Sequence, residues 1–175
     1  MENKTITETE RTFLREMNPN DFDELCKILQ DADVMYAYEH TFSNEEVLNW
    51  LNKNIIESYD KNSFGLWAVI HKETNVFLGQ CGLTIQKVNE KEYLEIGYLF
   101  KKEYWHKGYA TEAAIKCKEY AFNKLNAKSV YSIIRDNNTA SQNVAKRVGM
   151  KKMDTIIKHY YNIDMPHYIY GIKYE

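Results

Sequence analysis

Few residues in this chain can break or lock the backbone, and its apolar residues form only short runs. The 175 residues include two prolines, seven glycines and three cysteines. So little proline and glycine excludes a collagen-like or low-complexity chain. The cysteines are too few and too widely spaced for a disulfide framework or a metal-ligand motif. No stretch reaches the roughly 18 apolar residues of a membrane span, so the sequence predicts neither a membrane segment nor a metal site.

Net charge is also nearly absent, at −2. Proteins that bind nucleic acid normally carry a strong basic excess, so this balance argues against a nucleic-acid partner. The 44% of hydrophobic residues suffice for one core, and we expect a single domain over 1–175. The polar residues 1–10 are expected to fray and do not resemble a signal peptide. Cys26 and Cys117 lie on apolar helical stripes and are expected to be buried thiols. These features predict a cytoplasmic protein, either a monomer or a homodimer.

The hydrophobic pattern predicts strands and helices in the order β-α-α-β-β-β-α-β-α-β-β. Alternating or continuous apolar runs indicate strands, and apolar residues at three- and four-residue steps indicate helices. This order predicts an α/β (α+β) mixed sheet with helices on both faces. The predicted strands are Thr12–Arg15, Phe64–His71, Val76–Gln86, Tyr93–Phe100, Ser129–Ile134, 151–161 and 167–174, and the predicted helices follow Asn18, span 43–58, follow Gly108 and span Thr139–Val148.

The rest of the chain is organised around the stretch from Tyr93 to Ala121, which reads as a strand, a short loop and a helix. The strand is apolar except at Glu95 and Gly97, which predicts burial on both faces. Gly108 stands where the loop becomes the helix. A glycine turn at a helix N-terminus leaves backbone N–H groups free to bind phosphate. An ordinary turn glycine is the alternative interpretation.

Glu95 is the residue of this strand that points most directly to chemistry. A carboxylate between Leu94 and Ile96 is costly to bury unless it is hydrogen-bonded or faces a cleft. Burial would raise its pKa and make it a better proton acceptor near neutral pH. A structural glutamate paired with a lysine or arginine remains an open alternative.

Two short motifs point to one family. Residues 105–110, Trp-His-Lys-Gly-Tyr-Ala, resemble the acetyl-CoA motif Arg/Gln-x-x-Gly-x-Gly/Ala, with tryptophan at the first position. Residues 138–141, Asn-Thr-Ala-Ser, followed by Gly-Met at 149–150, are similar to that family's Asn-x-x-Ser…Gly-Phe/Met element. With this order of elements, the chain resembles the GNAT superfamily of N-acetyltransferases from about Thr12 to Tyr174. It looks most like the branch of the ribosomal-protein alanine and serine N-acetyltransferases.

The resemblance implies a fold and a co-substrate. The implied GNAT-like sheet is mostly antiparallel with a splayed parallel pair at its centre, and a bulge at Gly97 could help that splay. The implied co-substrate is acetyl-CoA, with an amine acceptor and no metal. The cofactor-binding residues that it implies are Tyr98, Leu99, Phe100, Trp105, His106, Lys107, Gly108, Tyr109, Ala110, Thr111, Asn138 and Ser141.

The resemblance also implies catalytic roles. Glu95 matches the position of a general base, and Ser141 is the expected proton donor to the departing CoA thiolate. Many relatives use a tyrosine for that second step, but its position is Ala145 here. For Asn138 and Ser141, helix capping alone is the alternative. The expected activity is acetyl transfer from acetyl-CoA to a primary amine, either a protein N-terminus or a small amine. A catalytically idle acyl-CoA-binding or sensing module is the alternative function.

The acceptor pocket is expected to form from the loop at 31–42 and the tail strands, because both are rich in aromatic residues. Together with Glu39 and Asp164, these aromatics favour an acceptor that is cationic when free. Two histidines of the set, His40 and His167, are alternative bases. The candidates are Tyr36, Tyr38, His40 and Tyr168, with Phe42, Tyr160, Tyr161 and His167 as further members of the same set.

Overall fold

Eight strands form one mixed sheet with the order β1-β2-β3-β4-β5-β6-β8-β7. The computed structural model describes residues 4–38, 40–160 and 162–175, apart from the side chain of Tyr160. Every neighbouring pair is antiparallel except β5 and β6, which are parallel and confirm the predicted central pair. The strands are β1 (Thr5–Glu8), β2 (Thr12–Arg15), β3 (Leu66–His71), β4 (Phe77–Val88), β5 (Lys91–Phe100), β6 (Ser129–Arg135), β7 (Lys151–Tyr160) and β8 (Ile163–Lys173).

Helices cover both faces of the sheet. A capping box at Ser43 and Glu46 starts the second helical segment, as predicted. That segment continues through a π-helical stretch to Asn62, beyond the predicted end near 58, and stops where Ser63 turns left-handed at φ 64°. The helices are α1 (Phe22–Leu29), α2 (Asn44–Asn49), the π-helical Trp50–Ile56, α3 (Glu57–Asn62), α4 (Tyr109–Asn123) and α5 (Thr139–Val148), with short 3-10 turns at Pro19–Asp21 and Lys102–Tyr104.

The sheet separates two hydrophobic cores. Because successive side chains of a strand point to opposite faces, β3 supplies Trp67 and Val69 to one core and Leu66, Ala68 and Ile70 to the other. The first core packs against α4 and α5, and the second against α1, α2 and the π-helical segment. Helices on both faces were predicted, and this part of the prediction is confirmed.

Three local predictions need correction. Residues 5–8 do not fray, because they pair with β2 as β1. The predicted break at 162–166 is shorter, because β8 already begins at Ile163 and Pro166 lies just beyond the end of the β6 ladder, where its missing N–H costs little. Cys117 is buried as expected, 3.6 Å from the sulfur of Cys81, but Cys26 is only partly buried.

Candidate active site

The parallel strands β5 and β6 touch at one point and then separate. Their register holds a single pair, Glu95 with Tyr131. Beyond it, side chains bridge the two backbones: the N–H of Ile133 donates to Glu95 Oε2 at 2.8 Å, and Ser132 Oγ donates to the carbonyl of Ile96 at 2.8 Å. A carboxylate and a hydroxyl therefore replace ladder hydrogen bonds, and a gap opens through the sheet.

Gly97 does not cause this separation. The β4–β5 ladder runs in unbroken register from Val88–Lys91 to Gly79–Phe100, and both of these strands are fully described. The bulge that the sequence suggested at Gly97 is therefore wrong, and the divergence lies on the β6 side. The expectation that β5 is covered on both faces also needs correction, because Glu95, Gly97 and Leu99 are only partly buried beside the gap.

A cavity of about 1070 Å³ occupies the gap. Its wall includes Glu95 and Leu99 from one face of β5 and Tyr98 from the other, so the cavity passes between the strands. Ser141 and Asn138 of the α5 start line its far side. The structure thus brings the predicted catalytic residues Glu95 and Ser141 to one cavity.

The Glu95 carboxyl has the properties of a proton acceptor near neutral pH. Burial raises its pKa from 4.5 to about 7, while the Ile133 N–H, the charge of Lys158 and the Thr84 hydroxyl oppose the shift. Oε2 is held by the Ile133 N–H, and Oε1 has only a long contact of 3.4 Å from Thr84 Oγ1. Oε2 thus holds β6 beside β5, and Oε1 is available to an acceptor amine.

The loop before α4 has the geometry expected of a phosphate-binding turn. Gly108 is the N-cap residue of α4 at φ 84°, and its helix start has no side-chain cap. His106 is also left-handed, at φ 60°. The first N–H groups of α4 therefore remain available to an anion, and the predicted residues 106–111 fit the pyrophosphate of acetyl-CoA. Within the described residues, none of this loop lines the cavity, so the phosphate and acyl ends would lie apart.

Arg11 holds this loop in place, and the sequence reasoning missed it. Its guanidinium donates to the carbonyl of Lys107 at 2.7 Å and to Glu112 Oε2, the latter from Nε at 2.9 Å, and it stacks 4.2 Å above the ring of Tyr109. Along the chain, Arg11 is 96 residues from Lys107 and 101 residues from Glu112. An isolated arginine in a polar N-terminal turn gives no sequence signal of such a role.

The remaining predicted cofactor residues divide between cavity and scaffold. Phe100 is buried and does not line the cavity; its carbonyl accepts from the indole of Trp105 at 3.0 Å, so both act as scaffold. The Asn138 side chain caps α5 by accepting from the Ser141 N–H at 3.1 Å. Tyr98 Oη donates to the carbonyl of Ser141 at 2.6 Å and so ties β5 to α5 across the gap. Ala145 is fully buried and has no hydroxyl, whereas Ser141 and Tyr98 both line the cavity at the α5 start.

Only some of the predicted acceptor residues reach the cavity. Tyr38, His40 and Phe42 line it, although His40 is also bound to Glu46 at 2.7 Å. Tyr36 instead donates to Asn138 Oδ1 at 2.8 Å. Tyr168 lies on the opposite face of β8, under Lys152, and does not line the cavity. Glu39, Tyr161 and the side chain of Tyr160 lie outside the described residues.

Of the two neighbouring candidates on β8, His167 lines the cavity and Tyr168 does not. The Nδ1 of His167 lies 2.8 Å from the carbonyl of Met165 and must donate to it, so Nε2 carries the lone pair. Burial lowers the pKa of His167, and the nearby cations Lys158 and Arg135 lower it further. The histidine is therefore a neutral side chain of fixed tautomer in the wall of the cavity that Glu95 also lines.

Comparison with known proteins agrees with this geometry. Residues 11–151 match the family described as "Acetyltransferase (GNAT) domain". The chain is 36% identical over 161 residues to the uncharacterized protein YkkB of Bacillus subtilis, covering 90% of this chain and 92% of that protein. It is 29% identical over 145 residues to the uncharacterized N-acetyltransferase YnaD of the same organism, covering 82% of this chain and 81% of that protein.

Solved structures share the fold over almost the whole chain. A GNAT-family acetyltransferase from Bacillus anthracis superposes with a TM-score of 0.81 at 26% identity, covering 97% of this chain and 98% of that one. RimL, a ribosomal alpha-N-protein acetyltransferase in complex with coenzyme A, superposes with a TM-score of 0.79 at 14% identity, covering 97% and 98%. The family uses acetyl-CoA as its co-substrate, and the open α4 start and the β5–β6 gap of this chain fit it. The chain belongs to the GNAT family and is an acetyltransferase.

Proposed function

We propose that residues 1–175 act as one domain that transfers the acetyl group of acetyl-CoA to a primary amine inside the cavity. The observation that carries this proposal is the Glu95 carboxyl, with a pKa near 7, at the point where β5 and β6 separate. A base with this pKa exists in both protonation states near neutral pH, as general base catalysis requires. The acceptor is a small amine or a protein N-terminus.

Acetyl-CoA supplies the acetyl group as a thioester. The α4 start would hold its pyrophosphate, with Lys107 adding a cation and Arg11 fixing the loop. Backbone groups of β5 from Gly97 to Leu99, which border the gap, would hydrogen-bond the acyl end. Tyr98 and Asn138 would keep α5 against this strand.

The proton movements follow from the side chains around the cavity. The amine enters as an ammonium and gives one proton to Glu95 Oε1, and the neutral nitrogen then attacks the thioester carbonyl carbon. The nitrogen of the resulting adduct loses its second proton to solvent, and Glu95 later returns its own proton to solvent. The new N–C bond forms, the C–S bond breaks, and the sulfur leaves with the electron pair of that bond. The Ser141 hydroxyl donates a proton to this thiolate and is reprotonated from solvent, so the products are an amide and free CoA.

Calorimetry and a CoA-release assay test this function. Gly108→Asp places a negative charge at the phosphate site, while Gly108→Asn has a similar size and tolerance of positive φ without the charge. We expect Gly108→Asp to bind acetyl-CoA at least about tenfold more weakly than Gly108→Asn. The absence of acetyl-CoA binding to the unmodified protein at millimolar concentration would refute the proposal, and tight binding without turnover of any amine would favour an acyl-CoA sensor.

A further inference from the structure

The wall of the cavity carries more cations than carboxylates. Its described lining includes five lysine or arginine side chains but only three carboxylates, Glu57, Glu92 and Glu95. The acidic residues that the sequence associated with the acceptor do not alter this balance. Asp164 pairs with His159 and is not part of the described lining, and Glu39 lies outside the described residues.

Two of these cations lie on the same face of the sheet as Glu95. Directly paired residues of neighbouring strands point to the same face, and so do residues two apart in one strand. Arg135 of β6 pairs with His167 of β8, and Lys158 of β7 pairs with Met165, two residues from His167. All four side chains line the cavity with Glu95, and both cations are half-buried.

Neither cation has a carboxylate within salt-bridge distance among residues 4–38, 40–160 and 162–175. Arg135 makes only a long bond of 3.4 Å to the carbonyl of Ala37. Three other half-buried cations are paired with carboxylates: Arg11 with Glu112, Arg15 with Asp21 at 2.8 Å, and Lys116 with Glu119 at 2.8 Å. The half-buried Lys118 instead donates to the carbonyl of Val148 at 2.8 Å. Lys158 is close enough to influence the pKa of both Glu95 and His167, but it bridges to neither. Two desolvated cations facing a cavity leave a complementary position for an anion.

We propose that the acceptor amine also carries a carboxylate, which Arg135 and Lys158 bind while the amine lies at Glu95. This inference rests on the proposed acetyl transfer. The Ile133 N–H marks the level of the Glu95 carboxylate on β6, and Arg135 is two residues further on, roughly 7 Å along the strand. Arginine binds carboxylate through two parallel hydrogen bonds, and lysine adds a point charge. The acceptor is therefore an amino acid, or a peptide whose N-terminal amine is followed by an acidic side chain.

Paired acceptors in a CoA-release assay test this assignment. The panel consists of the common L-amino acids and the ω-amino acids from glycine through γ-aminobutyrate to ε-aminohexanoate, each beside its own carboxamide. Alanyl-glutamate amide beside alanyl-glutamine amide tests a peptide side chain as the source of the carboxylate. We expect the acid to exceed its amide in kcat/KM by about tenfold or more for the best acceptor.

Lys158→Met and Arg135→Met should each reduce this preference for the acid to less than about threefold. The readout is the ratio of acid to amide within each variant, because the charge of Lys158 also lowers the pKa of Glu95 and its loss changes the rate with both acceptors. Lys152→Met is the matched control, since Lys152 lies on the same strand but over Tyr168 on the opposite face. If a methionine variant folds poorly, Lys158→Arg should keep the preference. A polyamine or neutral amine as best acceptor, or a preference that neither variant changes, would overturn the inference. The complete absence of CoA release would instead refute the proposed function.

Discussion

At the scale of single residues, Glu95 makes a structural contact and is the proposed general base. Its Oε2 accepts the Ile133 N–H, and Gln at this position could accept the same bond. Glu95→Gln should therefore keep the separated strands but lose the base. We expect kcat to fall at least about tenfold, and the rise of the wild-type rate with pH through about 7 to disappear.

A variant of His167 tests the alternative assignment of the general base. The pKa of His167 is lowered, and its Nε2 lone pair lies in the same cavity, so it is the alternative proton acceptor. If His167→Asn abolishes turnover while Glu95→Gln retains most of kcat, the assignment of the base to Glu95 is wrong. Measuring both variants across pH 5–9 separates the two assignments.

The same carboxyl makes a prediction about stability. Its pKa rises from 4.5 to about 7 on folding, so between these values the folded protein binds more protons than the unfolded chain. Stability from this group is therefore highest below its unfolded pKa and falls as pH rises towards 7. Glu95→Gln should melt several degrees above the wild type at pH 8 and show little difference at pH 5. If the difference in melting temperature between Glu95→Gln and the wild type did not change with pH, the ionised Glu95 carboxylate would not destabilise the fold as predicted.

At the scale of elements, the loop before α4 depends on a residue from the β1–β2 turn. Arg11 bonds both the Lys107 carbonyl and Glu112. Arg11→Gln should raise the KM for acetyl-CoA by several-fold with little change in kcat, because it loosens a phosphate-binding loop far from the acyl end. Adding Glu112→Gln distinguishes two roles: full rescue by the double variant would show that Arg11 only neutralises Glu112.

The gap between β5 and β6 also depends on one hydroxyl. Ser132 is 2% exposed, and its Oγ donates to the Ile96 carbonyl. Ser132→Ala leaves this buried carbonyl without that donor, which should cost about 1–3 kcal/mol of unfolding free energy. Ser129→Ala, which removes a hydroxyl from the partly exposed start of the same strand, is the control and should cost much less. Equal costs in chemical denaturation would show that the bridge to Ile96 is unimportant.

Most elements follow from local sequence signals. The α5 bounds, its Asn138 cap and its end at Gly149 were predicted because caps and left-handed stops involve residues close in sequence. The extension of the helix to Asn62 and the presence of β1 were not predicted. Both segments are polar, and tertiary packing or strand pairing stabilises them rather than a local sequence signal.

The candidate site divides in the same way. Gly108, Glu95 and Ser141 could be proposed from motifs, and His167 was one of many aromatic candidates. Arg11, Arg135 and Lys158 were not proposed, because contacts between residues far apart in the sequence give them their positions. The neighbouring candidates His167 and Tyr168 illustrate the difficulty: one residue of shift along a strand moves a side chain to the other face. Without the register of β8, the sequence could not distinguish them.

At the scale of the whole molecule, the sheet consists of two halves, β1–β5 and β6–β8, joined in backbone register at a single residue pair. A co-substrate that fills the gap would join these halves. Hydrogen exchange with and without acetyl-CoA should therefore show the largest slowing at amides of 97–99 and 132–135, more than in β3 within the larger half. Uniform slowing across both halves would mean that binding stabilises the fold only globally.

The chain has three tryptophans, and the fold places them in three different environments. Trp67 is enclosed in the core against Tyr120, Trp50 lines the acceptor cavity, and Trp105 is bonded to Phe100 at the entrance to the phosphate loop. Each indole therefore reports on a different event through its intrinsic fluorescence. With the other two replaced by phenylalanine, Trp105 would follow binding of the nucleotide end, Trp50 arrival of the acceptor, and Trp67 unfolding. The protein thus carries separate optical probes for the binding of each substrate and for the integrity of its core.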